Sequence, residues 1–302
     1  MYNEFLNELK EKIDASWVRE NEPMKLHTTF RVGGPADVLV TPDTESLPEV
    51  IGLCKKHNLP YYVIGNGSNL LVGDKGIRGV VIAMTNRMGE ILCDGEVITA
   101  GAGATLAQIA SLAAGKGLTG FEFAAGIPGT LGGAVVMNAG AYGGEMKDVI
   151  TSAVVLDKEG NLKELPVDEL DLSYRHSCIP EKEYVVLRVT MKLQRGEEEA
   201  IRAKMAELRE QRVTKQPLEY PSAGSTFKRP EGYFAGKLIM DAGLRGYQVG
   251  GAQVAEKHCG FVINKNNATA ADIVQLMQDV SAKVKEQFGV SLEPEVKMIG
   301  EF

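Results

Sequence analysis

The sequence predicts a fold of mixed α-helices and β-strands, divided into at least two domains. The chain has 302 residues, of which 44% are hydrophobic, and chains average about 150 residues per domain. Apolar residues recur at helical spacing in some segments and form short runs typical of strands in others. The pattern changes after Arg195-Gly196, where a long charged helix is predicted, and we place the main domain boundary there.

Six segments are predicted to be helices. Residues 2–15 and 46–58 have hydrophobic residues at amphipathic helical spacing, and residues 197–215 are predicted as a charged helix of about five turns. Thr269 and Asp272 stand in the positions of a capping box, which stabilises a helix start. The predicted helices span residues 2–15, 46–58, 106–114, 197–215, 234–241 and 269–288.

Short apolar runs bounded by glycine or other turn residues predict the strands. Residues 158–161, Lys-Glu-Gly-Asn, separate two such runs and predict a hairpin. The predicted strands cover residues 36–40, 61–64, 70–72, 80–83, 90–92, 97–100, 152–157, 162–165, 184–193, 260–263 and 292–299.

Two glycine-rich stretches are the most informative feature of the sequence. Residues 65–70, Gly-Asn-Gly-Ser-Asn-Leu, directly follow the apolar run 61–64, and residues 124–144 contain seven glycines. Glycine lets the backbone approach a ligand closely, and successive exposed N–H groups in such turns form concavities that hold anions. The two stretches together predict one large phosphate-bearing ligand, held from two sides.

Neither stretch fits the common nucleotide-binding motifs. The dinucleotide fingerprint requires a third small residue where Leu70 stands, and the chain contains no P-loop sequence. A simpler interpretation is that the glycines only form turns, which is their most frequent role. The density of glycine in residues 124–144 favours ligand binding there.

Composition and charge exclude several classes of protein. The net charge of −7 and the pI of 5.3 argue against non-specific binding of nucleic acid. The four cysteines, Cys54, Cys93, Cys178 and Cys259, show no metal-ligand spacing, so we expect reduced thiols and no metal. The first residues lack a signal-peptide pattern, and no apolar run reaches the length of a membrane span. We therefore expect a cytoplasmic protein with no membrane insertion and no obligate protein partner.

Three short segments carry polar residues suited to chemistry, around Arg175, Ser225 and Glu295. Taken singly, each has a structural explanation: a surface ion pair, a turn and a solvated strand face, respectively. Ser225 has no G-x-S-x-G context, which argues against a Ser–His–Asp hydrolase. None of the three side chains titrates near neutral pH in its ordinary state. Such a set suits the stabilisation and protonation of a carbanion better than hydrolysis.

Seven motifs follow one another along almost the whole chain, from about residue 24 to residue 300. They are Thr29-Phe-Arg-Val-Gly-Gly-Pro-Ala36, Gly65-Asn-Gly-Ser-Asn-Leu-Leu71, Gly126-Ile-Pro-Gly-Thr-Leu-Gly-Gly133, Met137-Asn-Ala-Gly-Ala-Tyr-Gly143, Ser173-Tyr-Arg175, Ala223-Gly-Ser-Thr-Phe-Lys228 and Leu292-Glu-Pro-Glu-Val296. In sequence and in order they resemble the motifs of the UDP-N-acetylenolpyruvoylglucosamine reductases of bacterial cell-wall synthesis, and their joint occurrence is highly specific.

The resemblance implies an α+β fold with an FAD-binding domain of the PCMH/vanillyl-alcohol-oxidase type, made of two subdomains, and a C-terminal α+β substrate-binding domain. We accordingly expect an N-terminal helical segment over residues 1–22, the FAD-binding domain over 23–195, divided near 85–95, and the substrate-binding domain over 196–302. The resemblance also implies non-covalent FAD that is reduced by NADPH. The reduced flavin then converts the enolpyruvyl ether of a UDP-sugar to the lactyl ether of UDP-N-acetylmuramate.

The resemblance assigns roles to individual residues. Arg175 and Glu295 match the pair that stabilises the enolate intermediate, and Ser225 matches its proton donor. Glu295 must be protonated, or bridged through a donor, to stabilise negative charge. The expected cofactor-binding residues are Ile64, Gly65, Asn66, Gly67, Ser68, Asn69, Leu70, Gly126, Ile127, Pro128, Gly129, Thr130, Gly133, Asn138 and Gly140. The expected substrate-binding residues are Tyr174, Lys215, Lys228 and Arg229.

One departure from part of the family concerns residues 193–196. Some members insert a tyrosine-bearing loop there, whereas Leu193-Gln-Arg-Gly196 continues directly into the next predicted helix. The chain therefore resembles the shorter subtype. Two alternatives stay open from the sequence: another FAD-dependent oxidoreductase of the same superfamily that acts on an alcohol or sugar, and a non-catalytic flavin- or nucleotide-binding regulator.

Overall fold

Helices and strands alternate irregularly along residues 2–302, which are the residues that the computed structural model describes. The helices are α1 (Tyr2–Lys12), α2 (Leu47–Lys56), α3 (Leu106–Gly115), α4 (Leu131–Val136), α5 (Glu198–Lys215), α6 (Ala235–Asp241) and α7 (Ala270–Phe288). The strands are β1 (Val18–Pro23), β2 (Pro35–Val40), β3 (Tyr61–Ile64), β4 (Leu70–Val72), β5 (Ile77–Ala83), β6 (Ile91–Asp94), β7 (Val97–Gly101), β8 (Leu118–Thr119), β9 (Gly140–Ala141), β10 (Gly144–Glu145), β11 (Ile150–Leu156), β12 (Leu162–Pro166), β13 (Val185–Lys192), β14 (Gln194–Arg195), β15 (Gln248–Val249), β16 (Ala252–Val254), β17 (Val262–Asn264) and β18 (Lys297–Ile299).

The chain passes more than once through each of two compact units. Unit 1 contains the described residues up to Arg19 together with Leu39–Asn66 and Val80–Arg212, and unit 2 contains Glu20–Val38, Gly67–Gly79 and Val213–Phe302. The domain limits predicted from the sequence, 1–22, 23–195 and 196–302, describe functional domains rather than compact units. They stay a prediction.

Unit 1 contains a five-stranded antiparallel sheet with the strand order β12-β11-β13-β7-β6. The predicted hairpin joins β11 to β12, and Val154 lies opposite Glu164 in its register. Asp157 closes the hairpin turn because its Oδ1 accepts hydrogen bonds from the backbone N–H groups of Glu159 and Asn161. Strand β3 pairs in parallel with β5, with Tyr61 opposite Val80, and β3 ends at the first glycine stretch.

The helices of unit 1 begin and end where local sequence signals predict. Thr105 and Gln108 form a capping box at the start of α3, which stabilises the first turn. Helix α1 packs on α2, and the ring of Phe5 meets that of His57 edge to face with centroids 5.8 Å apart. Helix α1 ends at Lys12, before the predicted limit at residue 15, because Asp14 accepts from the N–H of Ser16 and caps a separate 3₁₀ turn.

Unit 2 is organised around helix α7. The predicted capping box of Thr269 and Asp272 is present, and Asp74 adds a second cap by accepting from Ala270 N at 2.8 Å and Ala271 N at 3.0 Å. Gly289 ends the helix with φ +68°, a conformation that glycine adopts without steric cost. The buried core of unit 2 includes Phe30, Leu71, Phe227, Ile273 and Leu276.

Two predicted strands of unit 2 differ in their limits. The predicted strand 292–299 is a strand only at β18, which pairs in parallel with β4. The preceding residues contain Pro294, which has no N–H for a ladder, and they contribute a single bridge between Pro294 and Phe227. The strand predicted at 260–263 is shifted to β17, after a bridge between Ser225 and Phe261.

None of the helices in residues 2–302 combines the length and apolar character that a membrane span requires.

Candidate active site

The two glycine-rich stretches meet within unit 1. Asn66 Nδ2 donates a hydrogen bond to the carbonyl oxygen of Pro128 at 3.2 Å. Gly65 lies so close to Thr130 that a Cβ atom on Gly65 would stand 2.1 Å from Thr130 Oγ1, so a larger residue does not fit there. The structure thus brings together Gly65, Asn66 and residues 128–130, which the sequence predicts to bind one ligand.

Thr130 is the clearest sign of a missing polar partner at this junction. It is 2% exposed, precedes helix α4 without capping it, and its Oγ1 has no hydrogen-bond partner within residues 2–302. A buried hydroxyl left unpaired costs about 1–3 kcal/mol and is uncommon in proteins. A Cβ on Gly133, in the first turn of α4, would lie 3.6 Å from the same oxygen. The orphaned hydroxyl and the side-chain-free glycines fit the phosphate-bearing cofactor that the sequence predicts.

The rest of the first glycine stretch lies in unit 2. Gly67 has φ +61°, and a Cβ there would stand 2.1 Å from the carbonyl oxygen of His27, so glycine is required. Asn69 Nδ2 donates to the backbone oxygen of Glu295 at 3.1 Å, and the backbone of Lys297 donates to that of Asn69 at 2.9 Å. Asn69 therefore positions the segment that carries the predicted catalytic residue Glu295.

Asn138, predicted to bind the cofactor, is fully buried in unit 1. Its Nδ2 donates to Glu145 Oε2 at 2.6 Å and to the carbonyl oxygen of Ser173 at 3.0 Å, and its Oδ1 accepts from the N–H of Lys147 at 2.9 Å. Both amide hydrogens and the amide oxygen are thus used within the protein. The structure gives this side chain a positioning role toward residue 173, and its contact with a cofactor stays a prediction.

Tyr174 and Arg175 form the tip of a tight turn between Ser173 and His176. The backbone of Ser173 donates to His176 at 3.2 Å, and that of His176 donates to Ser173 at 3.1 Å. Arg175 has φ +56°, a conformation that is uncommon for a long side chain and clusters at functional sites. Its guanidinium carbon lies 5.2 Å from the centroid of the Tyr174 ring. The turn therefore places a predicted catalytic residue and a predicted substrate-binding residue side by side.

Ser225 and Glu295 lie on neighbouring segments of unit 2. Thr226 N donates to the oxygen of Gly260, and Glu295 N donates to the oxygen of Thr226, both at 2.9 Å. Thr226 is fully buried, and its Oγ1 accepts from Val262 N at 2.9 Å. The adjacent Ser225 is half-buried, and within residues 2–302 its hydroxyl makes no hydrogen bond. The backbone hydrogen bonds of Thr226 hold this segment in place, and the Ser225 hydroxyl remains available to a ligand.

The predicted substrate-binding cations differ in their contacts. Lys228 forms an ion pair with Glu293. Arg229 stacks its guanidinium 4.0 Å from the centroid of the Phe234 ring, and its Nε donates to a backbone oxygen at 3.2 Å. Lys215 is exposed at the C-terminal end of α5. A phosphate that binds Lys228 must therefore compete with a carboxylate, whereas Lys215 has no such competitor in the described chain.

Arg212 is a charged residue near the glycine stretches that the sequence-based prediction missed. It continues a stripe on α5 formed by Ile201, Met205 and Leu208, of which Ile201 and Leu208 are buried. The spacing of four, three and four residues is that of an inward helix face. A charged residue at the end of such a stripe is the signal that could have identified it.

The cysteines give no sign of a reactive site. Burial raises the pKa of Cys54 to about 12 and also raises the pKa of Cys178 and Cys259, which suppresses the reactive thiolate. The four thiols are free. Within residues 2–302, no group of three or more His, Cys, Asp or Glu side chains could hold a metal ion.

Comparison with known proteins identifies the family. Residues 35–166 match a family described as an FAD binding domain, and residues 216–299 match the C-terminal domain of UDP-N-acetylenolpyruvoylglucosamine reductase. A UDP-N-acetylenolpyruvoylglucosamine reductase of Agathobacter rectalis is 58% identical over 314 residues, which cover 100% of both chains. The chain belongs to the UDP-N-acetylenolpyruvoylglucosamine reductase family. Another relative of that name, from Caldanaerobacter subterraneus subsp. tengcongensis, is 53% identical over 297 residues and 98% of each chain.

Solved structures agree with this assignment to the reductase family. The crystal structure of the UDP-N-acetylenolpyruvylglucosamine reductase of Thermus caldophilus matches with a TM-score of 0.80 and 37% identity, covering 91% of this chain and 97% of that one. An alkyldihydroxyacetonephosphate synthase matches with a TM-score of 0.51 and 18% identity over 65% of this chain and 41% of its own, which indicates a shared fold alone. The predicted family and the predicted α+β fold with an FAD-binding domain are confirmed.

Proposed function

We propose that this chain reduces the enolpyruvyl ether of UDP-N-acetylenolpyruvoylglucosamine to the lactyl ether of UDP-N-acetylmuramate, a peptidoglycan precursor. The observation that carries the proposal is the 58% identity to a reductase of that name over the full length of both chains. The enzyme is an oxidoreductase that uses FAD as its cofactor and NADPH as its reductant. Its need for NADPH supports a cytoplasmic location, and no obligate protein partner enters the proposal.

When bound, FAD would supply the chemistry of two-electron transfer from NADPH to the alkene of the sugar nucleotide. The junction of Gly65, Asn66 and Thr130 would hold the phosphate-bearing part of the cofactor, because it combines close backbone approach with an unpaired buried hydroxyl. The proposal extends the same role to the other predicted residues, Ile64, Gly67, Ser68, Asn69, Leu70, Gly126, Ile127, Pro128, Gly129, Gly133, Asn138 and Gly140.

Arg175 would stabilise the charge that develops on the substrate. Reduction of the alkene carbon distal to the carboxylate leaves an electron pair on the carbon that bears the carboxylate, and the charge spreads onto its oxygens. A guanidinium stays charged at any working pH and can donate two hydrogen bonds to a carboxylate. Fixed charge aimed at a developing anion is usually the largest catalytic contribution. The turn at Ser173–His176, held by Asn138, supplies the fixed position.

Ser225 would donate the proton that completes the reduction. The Oγ–H bond breaks as the new C–H bond forms, and the resulting alkoxide recovers a proton from solvent. The Ser225 hydroxyl has no competing partner within residues 2–302, so it is available to the substrate carbon. The backbone N–H of Glu295 donates to the carbonyl oxygen of Thr226, the residue after Ser225. In its protonated or bridged form, Glu295 would stabilise the enolate together with Arg175.

The cations Lys215, Lys228 and Arg229 would meet the diphosphate of the substrate, with Tyr174 contacting the sugar nucleotide beside Arg175. The net charge of −7 makes such local positive charge necessary for an anionic ligand. The exposed Lys215 is the strongest candidate for a direct phosphate contact, because Lys228 is paired with Glu293.

Product analysis tests the proposal directly. Without oxygen, oxidation of NADPH beyond the single equivalent that reduces the flavin should require the enolpyruvyl nucleotide, and the two should be consumed in a one-to-one ratio. Proton NMR of the product should show a lactyl methyl group in place of the two vinylidene protons. Oxidation of an alcohol or sugar by oxygen, or NADPH consumption that leaves the vinylidene protons unchanged, would overturn the proposal.

A further inference from the structure

Arg212 holds a position that its own protein surroundings do not explain. It lies in unit 1 on the inward stripe of helix α5 and is only partly exposed. Within residues 2–302 it makes no hydrogen bond and no ion pair. The other arginines of this helix are ordinary surface residues: Arg202 pairs with Glu198 at 2.7 Å, and Arg209 is exposed.

Two residues beside Arg212, Gly126 and Tyr142, carry no formal charge at neutral pH. A Cβ atom built on Gly126 would lie 3.2 Å from Arg212 Cδ and 3.7 Å from its Nη1, so the guanidinium stem lies directly on this glycine. Tyr142 is close enough to interact with it electrostatically, but a phenol is uncharged at neutral pH. Burial lowers the pKa of Arg212 from its ordinary value. A partly buried charge without a counter-charge is unfavourable and is retained where an anion completes it.

Both residues beside Arg212 belong to the second glycine stretch. Gly126 and Tyr142 fall inside residues 35–166, which match the FAD-binding family, whereas Arg212 lies outside both matched regions. We propose that Arg212 binds an anionic group of the FAD cofactor. This inference rests on the flavin assignment of the proposed function. Two groups of FAD have the required charge: the pyrophosphate in every redox state, and the isoalloxazine ring only after reduction.

The experiment compares three variants of the full chain. Arg212→Met removes the charge but keeps an apolar stem of similar length, and Arg212→Lys keeps a charge without the guanidinium fork. Arg209→Met is the matched control, because it makes the same change on the exposed face of the same helix. For each variant we would measure the Kd of oxidised FAD with the apoprotein, the flavin midpoint potential, the KM for the UDP-sugar, and the thermal stability of the apoprotein.

The expected result depends on which FAD group Arg212 contacts. If Arg212 binds the pyrophosphate, Arg212→Met raises the Kd of oxidised FAD at least tenfold, and Arg212→Lys recovers part of the lost affinity. If it binds the reduced ring, the Kd of oxidised FAD stays within twofold, while reduced FAD binds at least tenfold more weakly, which lowers the two-electron potential by about 30 mV. In both cases the apoprotein of Arg212→Met is as stable as the wild type or more stable, because an unpaired charge has been removed.

Three outcomes would overturn the inference. They are an unchanged Kd and potential in Arg212→Met, an effect confined to the KM of the UDP-sugar, and a destabilised apoprotein whose FAD affinity is normal. A wild-type protein that binds no FAD would instead refute the flavin assignment. The failure of the inference and the failure of the proposed function are therefore distinguishable.

Discussion

Asn138 Nδ2 donates a hydrogen bond to the carbonyl oxygen of Ser173 at 3.0 Å, which links the second glycine stretch to the turn that carries Arg175. The same amide nitrogen bonds Glu145, and the amide oxygen bonds Lys147, so the link is rigid on the side of Asn138. Arg175 is thus oriented through residues that belong to the predicted flavin-binding stretch. The second glycine stretch therefore positions the proposed catalytic residue Arg175, in addition to its predicted contact with the flavin.

Removal of the Asn138 side chain should impair catalysis through Arg175. Asn138→Gly keeps the positive φ of +39° without strain but deletes all three side-chain hydrogen bonds. We expect the free energy of unfolding to fall by about 1–3 kcal/mol, because buried partners are left unpaired. We also expect kcat to fall by up to about 10²-fold, since a displacement near 1 Å of a catalytic group has that effect. Denaturant unfolding and steady-state kinetics measure the two effects.

Asn58→Gly is the matched control for this substitution. Asn58 also has a positive φ, of +53°, lies in unit 1 and is exposed. We expect its stability and kcat to stay near those of the wild type. Equal kinetic defects in the two variants would show that the link from Asn138 to Ser173 has no catalytic importance.

Ser225→Ala should separate the two halves of the reaction. NADPH reduces the flavin without this proton, so FAD content and the first half-reaction should be unchanged. Reoxidation by the enolpyruvyl nucleotide should slow by about 10²–10⁴-fold, as for the loss of a general acid. Ser225→Cys should retain more activity than the alanine variant, because it can donate a proton. Stopped-flow absorption resolves both halves, and Ser222→Ala on the same segment is the control. Normal reoxidation in the alanine variant would leave Ser225 as a turn residue only.

Lys215→Ala should weaken substrate binding and leave the cofactor in place. The loss of one exposed phosphate contact should raise the KM for the UDP-sugar by about tenfold, equivalent to about 1.4 kcal/mol. FAD content should be unchanged. Lys204→Ala is the control on the same helix, where Lys204 pairs with Glu207 at 2.9 Å. Loss of FAD from Lys215→Ala would show that its proposed role is wrong.

Acid should destabilise unit 2 through His258. Burial lowers the pKa of His258 below 6.5, and its Nδ1 accepts a hydrogen bond from the N–H of Gly260 at 3.1 Å. Because the folded pKa lies below the unfolded one, the unfolded chain binds more protons as pH falls through about 6.5 toward the folded pKa. The resulting stability is present above that window and is lost within it. His258→Asn can still accept the bond but does not titrate, so it should lose less stability between about pH 7.5 and 5.5. An identical pH dependence of stability in the wild type and His258→Asn would exclude His258 as a cause of the acid destabilisation.

Local signals allowed much of the fold to be predicted from the sequence. The capping box at Thr269, the hairpin around residues 158–161 and helix α5 depend on residues close in sequence, and all are present. Helix α4 was not predicted, because two of its six residues are glycines, which disfavour helix. Contacts distant in sequence hold it in place, since Leu131 N donates to Ala104 O at 2.8 Å. The parallel pairing of β18 with β4 is equally non-local and left no sequence signal.

The candidate site shows the same limit. Family motifs identified the glycine stretches and the segments around Ser225 and Glu295. The structure brings Gly65 and Asn66 beside residues 128–130 in unit 1, and it brings the segments of Ser225 and Glu295 together in unit 2. No sequence signal distinguishes Asn138, whose amide forms hydrogen bonds within the protein, from an asparagine that faces a ligand. Arg212 was missed because a single arginine in a charged helix has an ordinary surface interpretation.

An anaerobic absorption spectrum of the purified protein tests whether its flavin carries electrons from NADPH to the enolpyruvyl nucleotide. The protein should show the visible band of oxidised FAD, and one equivalent of NADPH should bleach it. One equivalent of the enolpyruvyl nucleotide, still without oxygen, should then restore the band. A flavin that NADPH does not bleach, or a bleached flavin that the nucleotide leaves unchanged and only oxygen restores, would contradict the proposed function.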